Sequence, residues 1–148
     1  MSEHITSPRR QLLEGFGANL RAIQKDGGWR TDIGLAVSLE PSQLDPSLVE
    51  EGLAIYIQRQ ERAGSGAVER THRLTTVGLI VKRRARAAAE ERLDDVLDDI
   101  ETALTDRQSA WPRGYSAPVF QSMEPLRAPP GEDWVGALLI YTSNIPIR

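Results

Sequence analysis

The chain has 148 residues, carries a formal net charge of −3 and contains no cysteine. This length allows one domain with a single sizeable core, and an apolar content of 40% with a charged content of 26% excludes wholesale disorder. The lack of cysteine excludes disulfides and thiolate metal centres, and the acidic balance gives no reason to expect a nucleic-acid-binding surface. Met1–Arg10 lacks the apolar core of a secretory signal, and no apolar run reaches the roughly twenty residues that span a bilayer. We therefore expect a protein made and used in the cytosol.

The first predicted element is a helix that begins at Ser7-Pro8, where an N-cap residue precedes a proline at the first helical position. Gly27-Gly28 supplies its stop. Its apolar residues recur at helical spacing: Leu12, Phe16, Leu20 and Ile23. Gly15 and Gly17 each cost about 1 kcal/mol relative to alanine inside a helix. Either the helix is marginal alone or, as we favour, another backbone packs closely against it. The preceding residues, Met1–Ser7, are expected to be flexible.

The next stretch predicts a short strand at Leu35–Leu39, followed by a long hairpin. The first hairpin strand shows a period of two, with Leu53, Ile55 and Ile57 on one face. The connection from Gln60 to Glu69 is too long for a two-residue turn, and we expect a protruding, mobile contact loop centred on Gly64, Ser65 and Gly66. The return strand, Arg70–Lys82, has apolar residues on both faces in its second half, which indicates a central strand covered by a helix.

The chain is organised around a predicted helix from Arg84 to Leu104, whose narrow apolar stripe must lie on a sheet. That stripe consists of Leu93, Val96, Leu97, Ile100 and Leu104. Two strands follow, Ala117–Leu126, closed by Pro125, and Trp134–Ile145. The order of elements predicts a single α+β domain over residues 1–148, with a mostly antiparallel mixed sheet and two main helices packed on it.

The densest polar cluster consists of four aspartates on this helix: Asp94, Asp95, Asp98 and Asp99. Carboxylates four residues apart share a helix face, so two such pairs could hold Mg²⁺ in a small Mg²⁺-dependent enzyme. A solvated acidic face is the favoured alternative, because EF-hand spacing and its turn glycine are missing. A hydrolase built on His72 is the weaker enzyme hypothesis, since no nucleophile motif accompanies that histidine. The sequence therefore predicts no enzyme, no catalytic residue and no cofactor.

A basic cluster of Arg83, Arg84 and Arg86 falls at the predicted start of the same helix, where the helix dipole disfavours positive charge. An acidic surface on a neighbouring subunit would stabilise these positive charges. The alternative is that the three arginines are ordinary surface residues in contact with solvent. Trp111 and Trp134 either cover the edge of the core or lie in an interface with another chain. The second alternative follows from the enrichment of tryptophan and arginine at interface centres. The predicted subunit interface combines these groups: Arg83, Arg84, Arg86, Asp94, Asp95, Asp98, Asp99, Trp111 and Trp134.

Four local sequences carry a resemblance to a known family. They are GWRTDIG at Gly28–Gly34, VGLIV at Val77–Val81, LDDVLDDIETAL at Leu93–Leu104 and ALLIYT at Ala137–Thr142. Together with the spacing of the elements over nearly the whole chain, they resemble the tail terminator (tail-completion) proteins of long-tailed bacteriophages and prophages, the family of minor tail protein U and its neck-associated relatives.

The resemblance implies a structural virion protein with no substrate and no catalytic residue to carry over. Such proteins form a six-fold ring at the head-proximal end of the tail tube, stop tube polymerisation and present a surface to the head–tail connector proteins. The expected partners are further copies of the chain, the tail-tube protein and the connector, with assembly in the host cytoplasm and no membrane. DNA would pass through the ring without sequence-specific binding. A head–tail connector or neck protein is the alternative.

Overall fold

The computed structural model describes residues 6–40, 50–64, 66–105 and 111–148, which form two main helices and a five-stranded sheet. The elements, in chain order, are α1 (Pro8–Arg21), β1 (Val37–Ser38), β2 (Glu51–Arg62), β3 (His72–Arg84), α2 (Ala89–Thr105), β4 (Val119–Arg127) and β5 (Trp134–Pro146). Short 3-10 turns lie at Lys25–Gly27 and Ile33–Ala36. The predicted order of helix, short strand, hairpin, helix and hairpin is confirmed.

The sheet has the strand order β1-β2-β3-β5-β4, so β3 is central and β4 lies at one edge. Only the β1–β2 pair is parallel, and the other three pairs are antiparallel. Both helices pack against one face of this sheet, and the predicted α+β class is confirmed. Among the described residues, no helix is long and apolar enough to cross a bilayer.

The core lies between the two helices and one face of the sheet. Because side chains alternate along a strand, β3 and β5 contribute odd-numbered residues to this layer. Fully buried members include Leu12, Phe16, Leu20, Leu53, Ile55, Val77, Leu79, Val81, Val96, Ile100, Leu139 and Tyr141. Burying a side chain of this size is worth about 1.5–3 kcal/mol, so the layer supplies most of the driving force for folding.

Tyr141 brings a polar atom into this layer. Its ring makes edge-on contacts with Phe16 and Phe120, at centroid distances of 6.2 and 5.7 Å. The hydroxyl is buried, and among the residues that the structure describes it has no hydrogen-bond partner. Burial raises the pKa of Tyr141 well above its usual range, and the nearby carboxylate of Glu101 raises it further. The phenol therefore stays neutral and is held by packing.

Helix α1 begins as predicted and ends earlier. The Ser7 hydroxyl accepts a hydrogen bond from the Arg10 N–H at 3.2 Å, as an N-cap should. The last helical residue is Arg21, well before the glycine pair that was predicted to stop the helix. The prediction of a neighbouring backbone at Gly15 is wrong, because a Cβ there would lie 3.2 Å from the indole ring of Trp111. The glycine makes room for an aromatic side chain.

The predicted start of the second helix at Arg84 is also wrong. β3 continues to Arg84, which pairs with Trp134 of β5, and α2 begins at Ala89. The connecting residues include Ala88, which has a φ of 60°, in the left-handed region that non-glycine residues rarely occupy. Strand pairing with a distant segment has overridden the local helical preference of an arginine- and alanine-rich sequence.

Other boundaries differ by a few residues. Only Val37–Ser38 of the first predicted strand pairs in the sheet. Pro125 lies inside β4 and does not end it, which the edge position permits because one side of an edge strand needs no N–H donor. The predicted loop at Gln60–Glu69 begins later than expected, because β2 continues to Arg62 and β3 begins at His72; its Ser65 lies outside the described residues. So does Met1–Ile5, most of the segment expected to be flexible.

Candidate assembly surfaces

The three arginines of the predicted basic cluster are each paired within the chain. Arg83 lies on β3 directly opposite Glu51 of β2, and the two side chains form an ion pair that is only 10% and 17% exposed. Arg84 lies 3.7 Å from the carboxylate of Glu50, and Arg86 donates to the same carboxylate at 2.9 Å. The cluster therefore ties the end of β3 to the start of β2, with Arg83 held inside the fold.

The four aspartates of α2 do not form one surface. Asp94 and Asp98 are exposed and Asp95 is half-exposed, whereas Asp99 is 3% exposed. The buried carboxylate of Asp99 accepts hydrogen bonds from the backbone N–H of Thr31 at 2.9 Å and from its hydroxyl at 2.8 Å. Asp99 lies three residues after Val96, which places it on the buried stripe of the helix. Its role is to fasten the loop after α1 to α2.

The enzyme hypotheses gain no support from this arrangement. Over the ranges 6–40, 50–64, 66–105 and 111–148, no three histidine or acidic side chains converge as metal ligands would. Asp99 is committed to Thr31, so the pair with Asp95 offers only one available carboxylate. Both ring nitrogens of His72 have neighbours, the Thr71 hydroxyl at 2.8 Å and the Gly114 carbonyl at 3.3 Å. That histidine joins two loops.

The two candidate tryptophans occupy different surroundings. Trp111 packs edge-on against Phe16 at a centroid distance of 5.0 Å and covers the core between α1 and β5. Trp134 lies on the opposite face of the sheet, where the Lys82 ammonium sits 4.4 Å from its ring centroid. A cation over an indole face is an attractive contact. Trp134 is therefore the member of the pair placed where another molecule could meet it.

The second face of the sheet, which we call the open face, has an apolar centre with polar side chains such as Lys82, Ser122 and Glu124 beside it. In the part of the chain that the structure describes, neither helix covers it. Cross-strand pairing brings together half-buried side chains from β2, β3, β4 and β5: Tyr56, Ile80, Leu126, Trp134, Leu138 and Ile140. The face is flat at its centre, because the Tyr56 ring lies across Gly78, where an added Cβ would come within 2.6 Å of that ring. Contiguous apolar patches of this kind mark contact surfaces.

Strand β4 carries exposed apolar side chains on both of its faces: Val119 lies opposite Thr142 on the open face, whereas Phe120 and Met123 lie opposite Tyr141 and Leu139 on the face that the helices cover. Val119, Phe120 and Met123 are 58%, 40% and 43% exposed, which is high for side chains of this size. Of the described strands, only β5 pairs with β4, so the outer side of β4 carries backbone groups without a strand partner. Edge strands of this type can pair with another chain. The sequence predicted the strand, but its edge position was set by the tertiary fold.

The glycines of the predicted contact loop lie at the surface. Gly64 and Gly66 are exposed, and a Cβ added at either would meet nothing within 4 Å. Its role in contacts with another protein stays a prediction. Sequence reasoning missed the open face altogether, although the apolar residues on both sides of the last strand gave a signal for it.

Comparison with known proteins finds a likeness in fold. No protein-family model matches the chain, and no curated protein sequence matches it. Among solved structures, the fold is similar to that of a chain from the virion of a native gene transfer agent particle, with a TM-score of 0.59 and 16% sequence identity. The alignment covers 96% of this chain and 99% of the other. At this identity the likeness establishes a shared fold, and the function has to be argued from surfaces.

Proposed function

We propose that this chain is a structural virion protein of a phage-like particle. It forms a ring at the head-proximal end of the tail tube, ends tube polymerisation and provides the surface that joins the head. Its partners are further copies of itself, the tail-tube protein and the head–tail connector proteins. DNA passes through the ring without sequence-specific binding, and assembly takes place in the host cytoplasm.

The observation that carries this proposal is the end-to-end likeness to a virion chain. The alignment leaves almost nothing of either chain unmatched, so no additional domain is needed to explain what the fold does. The local sequences at Gly28–Gly34 and Leu93–Leu104, which resemble the tail terminator family, lie within the matched fold. This resemblance supports a place in the tail rather than elsewhere in the virion.

The surfaces of the chain support an assembly role. The centre of the open face is apolar, β4 adds exposed apolar side chains, and in the described part of the molecule neither helix covers the open face. Burying apolar surface contributes a favourable free energy of roughly 25 cal/mol per Å², so covering these apolar side chains favours association of the subunit with other molecules. The paired arginines and the buried Asp99 stabilise the subunit itself, which leaves the apolar surfaces for its neighbours.

The test is to delete the gene in the virus or prophage that carries it and to examine the tails by electron microscopy. Without a terminator, tubes of uncontrolled length should accumulate and heads should remain unjoined. Tails of normal length in the deletion strain would end the proposal. Heads that stay unjoined beside tails of normal length would instead favour the alternative, a head–tail connector or neck protein.

The same system tests whether the open face matters. Replacing Leu138 and Ile140 by threonine places a β-branched residue, which suits a strand, at both positions but removes apolar contact area. The double variant should fold and fail to restore tail length, while Ser122→Thr on the neighbouring strand should restore it fully. Complementation by both variants would show that the open face takes no part in termination.

A pull-down resolves the two structural roles directly. The chain with an affinity tag is incubated separately with purified tail-tube protein and with purified portal-adaptor protein. Capture of the tube protein, with its loss in the Leu138→Thr/Ile140→Thr variant, supports the terminator role. Capture of the portal adaptor alone supports the connector role.

A further inference from the structure

A groove lined by basic residues lies at the hairpin end of the sheet, where β3 begins and β5 ends. It has a volume of about 460 Å³, and its walls include Arg70, His72 and Arg148, with no acidic residue among the lining groups. The Ile147 N–H donates to the Thr71 carbonyl at 3.0 Å, which fixes the end of the chain beside the hairpin. The groove is therefore built from two separate segments that hydrogen bonds hold together.

The arginines at this end of the sheet differ in whether they have an acidic partner. Arg59 and Arg62 have acidic neighbours, Glu61 at 2.9 Å and Glu69 at 3.8 Å. In contrast, Arg70 and Arg148 form no ion pair with any residue in the described ranges. Arg113 likewise has no such partner there, and it lies in the loop that reaches His72 through the Gly114 carbonyl. Within the described ranges, therefore, these three guanidinium groups have no Asp or Glu side chain as an ion-pair partner.

The outer face of α2 has the opposite imbalance. Glu90, Glu91 and Asp94 are exposed, and within the described part of the chain none of them forms an ion pair. Asp98, one turn further on, has only a long contact of 3.9 Å with Arg30. Residues 90, 94 and 98 follow each other at four-residue spacing, so they form an acidic stripe about 12 Å long at a rise of 1.5 Å per residue.

These two patches cannot neutralise each other within one chain. The groove lies where β3 begins, and the acidic start of α2 lies just beyond the end of β3. The 13 residues of β3 separate the two patches by about 40 Å at about 3.3 Å per residue. This is several times the screening length of about 8 Å at physiological salt. A second copy of the chain, however, can present its acidic stripe to the groove.

We infer that the groove at the hairpin end binds the acidic outer face of α2 of a second copy, through Arg70 and Arg148 on one side and Glu90 and Asp94 on the other. The inference rests on the proposed function, because it names the contact between copies in the ring. Two different patches meet, so the interface is heterologous, which is the type that closes into a ring when its rotation closes. This interface does not include Arg83 and Asp99, which belonged to the interface predicted from the sequence, because both residues are paired inside the subunit.

A charge-swap experiment with the full chain tests the inference. One variant carries Arg70→Glu and Arg148→Glu, and the other carries Glu90→Arg and Asp94→Arg. Sedimentation velocity is measured at about 50 mM salt and again at about 500 mM, where screening weakens exposed ion pairs. Controls with the same changes of charge at other exposed sites are Arg21→Glu/Arg127→Glu and Asp26→Arg/Glu132→Arg.

The wild-type chain and both controls should self-associate at low salt. Each swapped variant alone should lose at least tenfold in association constant. An equimolar mixture of the two should recover it, because the reversed groove of one then meets the reversed helix of the other. High salt should weaken the wild type and the mixture alike.

Three results would overturn the inference. One is self-association in a swapped variant at the wild-type level, and another is a mixture that stays as weak as its components. The third is loss of binding to a DNA oligonucleotide in the Arg70→Glu/Arg148→Glu variant with self-association unchanged, since this would assign the groove to phosphate. None of these results bears on tail length in the deletion strain, so the proposed function fails or stands separately.

Discussion

Replacing Asp99 should destabilise the protein far more than replacing any neighbouring aspartate of α2. Its carboxylate accepts two good hydrogen bonds from Thr31 and a longer one, at 3.4 Å, from the Arg30 N–H. A hydrogen bond to a charged group contributes about 1.5–3 kcal/mol, and a partly buried donor left without an acceptor adds a further cost. We expect Asp99→Ala to lower the free energy of unfolding by about 3 kcal/mol.

Asp98→Ala is the matched control, because it makes the same chemical change one residue away on the same helix. The gain in helix propensity from aspartate to alanine is common to both variants and cancels in the comparison. Asp98 loses only an exposed contact of 3.9 Å with Arg30, and exposed ion pairs contribute about 0–1 kcal/mol. The difference between the two variants therefore reports the buried hydrogen bonds alone.

Urea unfolding followed by circular dichroism measures this difference directly, provided that the slope with denaturant is unchanged. In a thermal scan, a loss of about 3 kcal/mol in a domain of this size corresponds to a drop in Tm of roughly 6–12 °C. If Asp99→Ala and Asp98→Ala unfolded at the same urea concentration, Asp99 would not anchor the loop, and all four aspartates would be the solvated face that the sequence favoured.

Three further substitutions test the packing by the same unfolding assay. Tyr141→Phe removes a buried hydroxyl without a partner and should stabilise the protein by about 1 kcal/mol; a loss of that size would show that the hydroxyl has a partner after all. Gly34→Ala places a Cβ 2.5 Å from the carbonyl oxygen of Ile23 and should cost more than about 2 kcal/mol, so an unchanged unfolding midpoint would contradict the close approach. Ala88→Gly relieves a left-handed φ of 60° and should stabilise by about 1 kcal/mol, whereas a destabilised variant would refute strain at that residue.

The sequence by itself determined the kinds and order of the elements. The stripe of α2 and the alternation in β2 are repeats of 3.6 and 2.0 residues, which depend only on the geometry of a helix or a strand. The N-cap at Ser7 is equally local, since its hydroxyl bonds an N–H three residues away. From these signals the α+β class followed, and with it the placement of the helices on one face of the sheet.

Only the tertiary structure decided which charged residues are available to other molecules. Arg83 and Asp99 looked like surface charges because their sequence neighbours are charged. Their partners, Glu51 and Thr31, lie 32 and 68 residues away. No periodic pattern encodes such a meeting, because it depends on which strands pair and which loop folds over which helix. The open face was hidden for the same reason. A strand with two apolar faces reads as a continuous apolar run, but whether a second layer covers it is a property of the whole fold.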